Sequence, residues 1–286
     1  MMIPARQPGK RNVAVFLVAT GLLLCNLAAV GTTGRERAKR AVCLANLRQL
    51  MSAWIAYADQ NDGKIVNGVG GIHYIGVGGS IERAWVGKGW GDNWDNDNVA
   101  NTGVPEAWKK KAIRDGALWP LVGDECCYKC PVGRPYEWVN YSIVDAMNGL
   151  ARAGTYTTQE AYPYTVGRKI GETVLWIENT GEIVSPPAAE RMVFIDEGAM
   201  TPAAFAVHYQ GNGTWWDDPP ARHNDGATVS WADGHATYLQ WQAAETIEFG
   251  RRAANRYYGG FRPVTEEGIK DLDDFRRAVW GRLPNE

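Results

Sequence analysis

ARHNDGATVSWADGHATYLQW, residues 221–241, carries two histidines, two Asp-Gly pairs and a run in which large and small side chains alternate. Asp233-Gly234 between two alternating runs predicts a β-hairpin, because Asp-Gly is a strong signal for a two-residue type I′ turn. Residues 228–232 and 235–241 then form antiparallel strands. Ala232 pairs with His235, so Val229, Trp231, Ala236 and Tyr238 share one face, and Ser230, Thr237, Leu239 and Trp241 take the other. His223 precedes a second turn, Asn224-Asp225-Gly226, and sits just before the first strand enters the sheet. His223 and Asp233 end up roughly 25–30 Å apart at ~3.3 Å per residue. A His223–Asp233 dyad therefore requires the chain before residue 227 to fold back, and the polar residues read as turn chemistry.

A chain of 286 residues with 45% apolar content has room for a sizeable core. Its net charge of −2 offers no electrostatic footprint for nucleic acid. Thirteen Trp beside 33 Gly suit a loop-rich protein built on an antiparallel sheet rather than a helical bundle. The N-terminus sets the compartment. Arg6, Lys10 and Arg11 precede an uncharged stretch from Asn12 to Gly34, which as a helix is roughly 30–35 Å long, enough to cross a bilayer. A cleaved signal peptide ending near Leu27-Ala28-Ala29 competes, but the apolar run is longer than a usual signal core and favours retention. Arg35, Arg37, Lys39 and Arg40 balance the basic residues on the other side, so charge does not set the orientation.

From Arg35 to Asp59 the pattern is amphipathic, with Cys43, Leu47, Leu50, Met51, Trp54 and Ala58 at helical spacing and Arg40, Arg48, Gln49 and Ser52 opposite. This predicts one helix continuous with the membrane segment, ended by Asn61-Asp62-Gly63 with Gly63 left-handed. Residues 64–104 read as a loop or a pair of short strands. A short helix is predicted over 105–122, strands over 173–178 and 191–196, with a third possible over 204–209, and helices over 242–257 and 265–280. The organisation is a basic leader (1–11), a transmembrane segment (12–34), an amphipathic stalk helix (35–60) and a globular α+β ectodomain (61–286).

Several separated motifs are similar to one family, the pilin-like or type II secretion pseudopilin-like proteins of planctomycete type, marked by an H-x9-D-G signature. His223 followed by Asp233 and Gly234 fits the signature. The likeness extends to Arg40-Ala-Val-Cys43-Leu-Ala-Asn46-Leu47-Arg48-Gln49-Leu50 with Tyr57-Ala58-Asp59, to Gly116-Ala-Leu-Trp119-Pro120 with Cys130-Pro131, and to Val193-Phe194-Ile195-Asp196-Glu197. The resemblance implies a pilin-like fold, in which a long N-terminal helix held in the inner membrane packs on an antiparallel sheet, and prepilin processing with Gly9 as the candidate site. It implies a domain in the periplasm or at the cell surface that assembles with its own copies or with other pilin-like subunits. The leader departs from the family's pattern: Gly9 is followed by Lys10-Arg11-Asn12-Val13-Ala14, without the glutamate whose carboxylate is thought to neutralise a neighbour's N-terminal amine inside the membrane. An anchored domain that builds no filament stands beside the filament subunit as an option.

Other candidate sites are read from residue type. Cys43 on the helix and Cys130 in the Cys126-Cys127-Tyr-Lys-Cys130 loop form a candidate disulfide; buried free thiols are the alternative, and a zinc site lacks the second Cys-x-x-Cys or His pair that would mark it. Asp92, Asp95 and Asp97 offer oxygens for calcium, without the glycine and glutamate of a calcium loop. Asp196-Glu197, at the end of an apolar strand, offers paired carboxylates for acid/base work, and a strand end emerging into solvent explains the pair as well. Trp85, Trp90 and Trp94, among Gly, Asn and Asp, are candidate glycan contacts, as in sugar-stacking platforms. No catalytic motif is present, so the expectation is a non-enzymatic protein with no cofactor. An anchored glycan-binding or glycan-processing ectodomain is the second reading.

Overall fold

The computed structural model describes residues 10–71, 74–75, 81–88, 104–134, 136–149, 168–197, 204–209, 213–253 and 259–286, without the side chains of 10–33 and 74–75. Helix α1 runs from Lys10 to Asp59, a length free of proline, the residue that would break it. Cys43, Leu47, Leu50, Met51, Ala53, Trp54 and Ala58 are all buried, while Arg48, Gln49 and Ser52 face solvent, as the predicted stripe requires. The chain leaves α1 through Asp62 and Gly63, both left-handed (φ 53° and 82°), and the Gly63 amide closes back on the Ala58 carbonyl at 2.8 Å. A Cβ on Gly63 would press on the Asn179 amide. Residues 43–58 thus contribute to the hydrophobic core of the domain. Among the described residues no helix is long and apolar enough to cross a membrane. The side chains of 12–33, on which the membrane expectation falls, lie outside the described residues, as does Gly9.

Later elements are β1 (Tyr74–Ile75), β2 (Ile81–Glu82), α2 (Glu106–Asp115), α3 (Trp119–Val122), β3 (Tyr141–Ile143), β4 (Lys169–Ile170), β5 (Thr173–Val174), β6 (Met192–Asp196), β7 (Gly226–Trp231), β8 (Ala236–Gln240), α4 (Ala244–Ala253) and α5 (Glu266–Trp280). The main sheet is antiparallel with order β3-β6-β7-β8. The protein is therefore an α+β fold of helices on an antiparallel sheet. Every residue of β6 is buried, as are the first five of β7, so both faces of these central strands are covered. Cys43 of α1 reaches Thr228 and Tyr141 on one face. Phe275 of α5 meets Phe205 and Trp215 at ring separations of 5.4 and 5.0 Å.

Two strand predictions shrink. Of 173–178 only Thr173–Val174 forms a strand, paired with β4, while Ile177 makes a single bridge to Met147. In 204–209 the ladder is reduced to bridges from Phe205 to Val144 and from Val207 to Trp215. Beside β6, Arg191 is wholly buried and donates to the carbonyls of Val174, Leu175 and Val279 at 2.8, 3.0 and 3.2 Å. It satisfies a carbonyl in the last turn of α5. Burial pushes this guanidinium down to about 9.

The hairpin corrects its predicted register. Trp231, not Ala232, bonds to His235 (N to O, 3.0 Å), and Gly234 turns at φ 100° with its amide on the Trp231 carbonyl. Three residues, Ala232-Asp233-Gly234, therefore close the turn. Val229 pairs with Thr237 and Thr228 with Tyr238. A one-residue slip exchanges faces: Trp231 stacks on His235 and donates from its ring nitrogen to Thr237 at 2.8 Å, while Ala236 and Tyr238 join Thr228 and Ser230. The added residue is accommodated because Asp233 accepts from the His235 amide at 3.1 Å, a local side-chain bond that propensity for a two-residue turn ignores.

Candidate functional site

Four elements deliver one polar side chain each to a point beneath α1. Cys43 comes from the buried stripe of α1. Asp196 ends β6 opposite Tyr141, which puts both on the α1 side of the sheet. Cys130 follows the 3-10 turn Glu125–Tyr128 and is fixed by its backbone N–H, which donates to Asn140 Oδ1 at 2.9 Å. Asn46 of α1 holds that loop by donating to the Lys129 carbonyl at 3.0 Å. His223 lies in a loop clamped by reciprocal Arg222–Gly226 backbone bonds of 2.7 and 3.0 Å. Its residues His223, Asn224 and Asp225 all have positive φ (50°, 69° and 69°). Left-handed conformations at consecutive non-glycine residues are costly and need support from their surroundings. Arg251 supplies some of it through a two-pronged pair to Asp225 at 2.8 and 2.7 Å, and the Tyr238 hydroxyl donates to the Asn224 carbonyl.

The four ligand-capable atoms lie within 4.8 Å of one another. His223 Nε2 is 3.3 Å from Cys130 Sγ and 3.3 Å from Asp196 Oδ2. Cys43 Sγ is 3.4 Å from the same Asp196 oxygen, and meets Tyr141 Oη at 3.2 Å and Thr228 Oγ1 at 2.9 Å. The other Asp196 oxygen accepts from Arg222 at 3.0 Å. Cys43, Cys130 and Asp196 have no solvent exposure and His223 has 3%.

Burial sets the electrostatics, and the partners then override it. Burial alone would raise Asp196, but the Arg222 guanidinium and His223 hold it below the usual carboxylate range. Burial would lower His223, yet its contacts with Asp196 and Cys130 lift it to about 9. The two thiols split: burial and the neighbouring Cys130 drive Cys43 up, while contacts with Cys43 and His223 outweigh burial and bring Cys130 down. Cys130, His223 and Asp196 resemble a nucleophile–base–acid set by residue type alone. Both contacts fall on the same histidine nitrogen, and Nδ1 is buried without a partner. A catalytic base instead bonds its orienting acid through the second nitrogen.

The structure thus brings together Cys43, Cys130 and His223 and adds Asp196. Cys43 and Cys130 are free thiols here; the predicted bridge gives way to contacts with Asp196, His223 and the two hydroxyls. His223 and Asp233 form no dyad, since Asp233 serves the hairpin turn with His235. Asp196 and Glu197 do not emerge into solvent. Both are buried, because α1 covers Asp196 and the Ser142 hydroxyl of β3 donates to Glu197. Trp85 is not available to a glycan: it has no exposure and stacks at 6.0 Å on Tyr128 and edgewise at 5.5 Å on Phe194. Trp90, Trp94, Asp92, Asp95 and Asp97 lie outside the described residues. No protein-family model, curated protein or solved structure matches the chain.

Proposed function

We propose that this chain is a non-enzymatic, pilin-like structural protein, anchored in the inner membrane through residues 12–34, with its domain in the periplasm or at the cell surface. It acts by assembling with its own copies or with other pilin-like subunits. The observation that carries the reading is α1, one helix from Lys10 to Asp59 whose C-terminal part is built into the sheet. The uncharged stretch 12–34 occupies the other part of that helix. Such a helix makes anchor and domain a single piece, which suits a subunit that packs laterally through its N-terminal helix. The sealed polar cluster supports a structural role over a catalytic one, since no substrate reaches it from solvent.

Fractionation of cells producing the full-length chain tests the anchor. The protein is expected in the membrane pellet after an alkaline carbonate wash, and a chain beginning at residue 36 in the soluble fraction. Release of the full-length chain by the wash would defeat the reading. Negative-stain microscopy of the membrane-derived protein then separates a filament subunit from an anchored monomer.

A further inference from the structure

We infer that Cys43, Cys130, Asp196 and His223 form a closed structural site for a zinc-class divalent ion. This goes beyond the proposed assembly role and does not depend on it. Tetrahedral zinc takes sulfur, imidazole and carboxylate ligands at about 2.0–2.3 Å, which places neighbouring donors about 3.3–3.8 Å apart. Cys130 to His223, His223 to Asp196 and Cys43 to Asp196 measure 3.3, 3.3 and 3.4 Å. All four donors fall within 4.8 Å of one another. A single nitrogen facing both a sulfur and a carboxylate oxygen cannot donate one proton well to both. Its lone pair directed between them at a cation satisfies all three groups.

The surroundings fit the charge and the ligand type. Two thiolates and one carboxylate carry three negative charges; a divalent ion leaves one, and Arg222 on the outer oxygen of Asp196 balances it. The Tyr141 and Thr228 hydroxyls on Cys43 Sγ are placed to donate to a thiolate, the outer-shell support that metal ligands usually carry. Two sulfur donors select a zinc-class ion over calcium or magnesium, which take oxygen ligands. Four buried protein ligands leave no position for a water or substrate, so the site is structural. Its ion would tie α1 to β6, to the Cys126–Cys130 loop and to the left-handed loop before β7.

The test uses the full-length protein purified in detergent with reductant, its metal content measured directly and its apo form titrated with zinc and with cobalt(II). About one zinc per chain is expected, with cobalt giving a thiolate charge-transfer band and tetrahedral visible bands. Chelation should lower the melting temperature and zinc should restore it. His223→Ala is expected to lose the cobalt spectrum and Cys126→Ala to keep it. Tyr141→Phe, which leaves all four ligands in place, should bind zinc about 10–100-fold more weakly. A folded, reduced wild-type chain that takes up no zinc or cobalt would overturn the site, whatever the variants do. So would peptide mapping that finds Cys43 and Cys130 disulfide-bonded in protein purified without reductant.

Discussion

Asp217 is a carboxyl with 4% exposure, its Oδ2 accepting from the Ala206 amide at 2.6 Å. Burial, with Glu197, Asp218 and Asp145 close by, raises it well above the usual carboxylate range. The folded chain therefore keeps a proton that the unfolded chain releases near pH 3.8. This contribution to stability is full below that pH and is lost as pH rises through the elevated folded value. Asp217→Asn keeps the acceptor and removes the titration, so its melting temperature relative to wild type should climb as pH rises above 3.8. A gap that stays constant with pH would refute this. At the same scale, Cys43 was legible from its place in the helical stripe and His223 from its place before a turn. Their meeting was not: the four clustered side chains come from four elements far apart in sequence, so no local spacing marks them. Asp196 was misread because Asp-Glu after an apolar run looks like a strand end in water, and only α1 lying across it makes the position a core one.

The elements were legible where the pattern was long. α1 follows its apolar stripe over 43–58, and α4, α5 and β6 fall inside their predicted spans. The hairpin existed as predicted, but its register turned on a single residue, and the Asp233 side-chain bond to His235 decided it against the commoner two-residue loop. The entry of β7 is the tightest point in this element. A Cβ on Gly226 would collide with the Leu239 carbonyl of the paired strand and with the Tyr238 ring. Because the carbonyl is held by the ladder, Gly226→Ala should cost about 3 kcal/mol, the upper end of overpacking effects. An unchanged midpoint in urea unfolding would show that the strands part at no cost. The segments 173–178 and 204–209 were overread as strands, since buried apolar runs look alike whether they pair along their length or at one bridge.

At the scale of the whole molecule, the C-terminal part of α1 and the residues after 60 share one core. Cys43, Leu47, Leu50, Met51, Trp54 and Ala58 are as buried as the strands they cover. A chain beginning at residue 36 should unfold in one cooperative thermal transition, whereas one beginning at residue 61 should lack it, as circular dichroism would report. Cooperative melting of the shorter chain would mean that α1 is only a lid. The same feature has a mechanical side. Residues 34–42 of α1 are exposed or only partly covered, and Cys43 is the first fully buried side chain met along the described part of the helix. A pull on the N-terminal end of α1 therefore meets the contact of Arg40 on the Tyr238 ring and then Cys43, its first fully buried side chain, with Tyr141, Asp196 and Thr228 beneath it. The load passes there into three neighbouring strands at once rather than peeling one edge, so the polar cluster stands where tension along α1 enters the sheet.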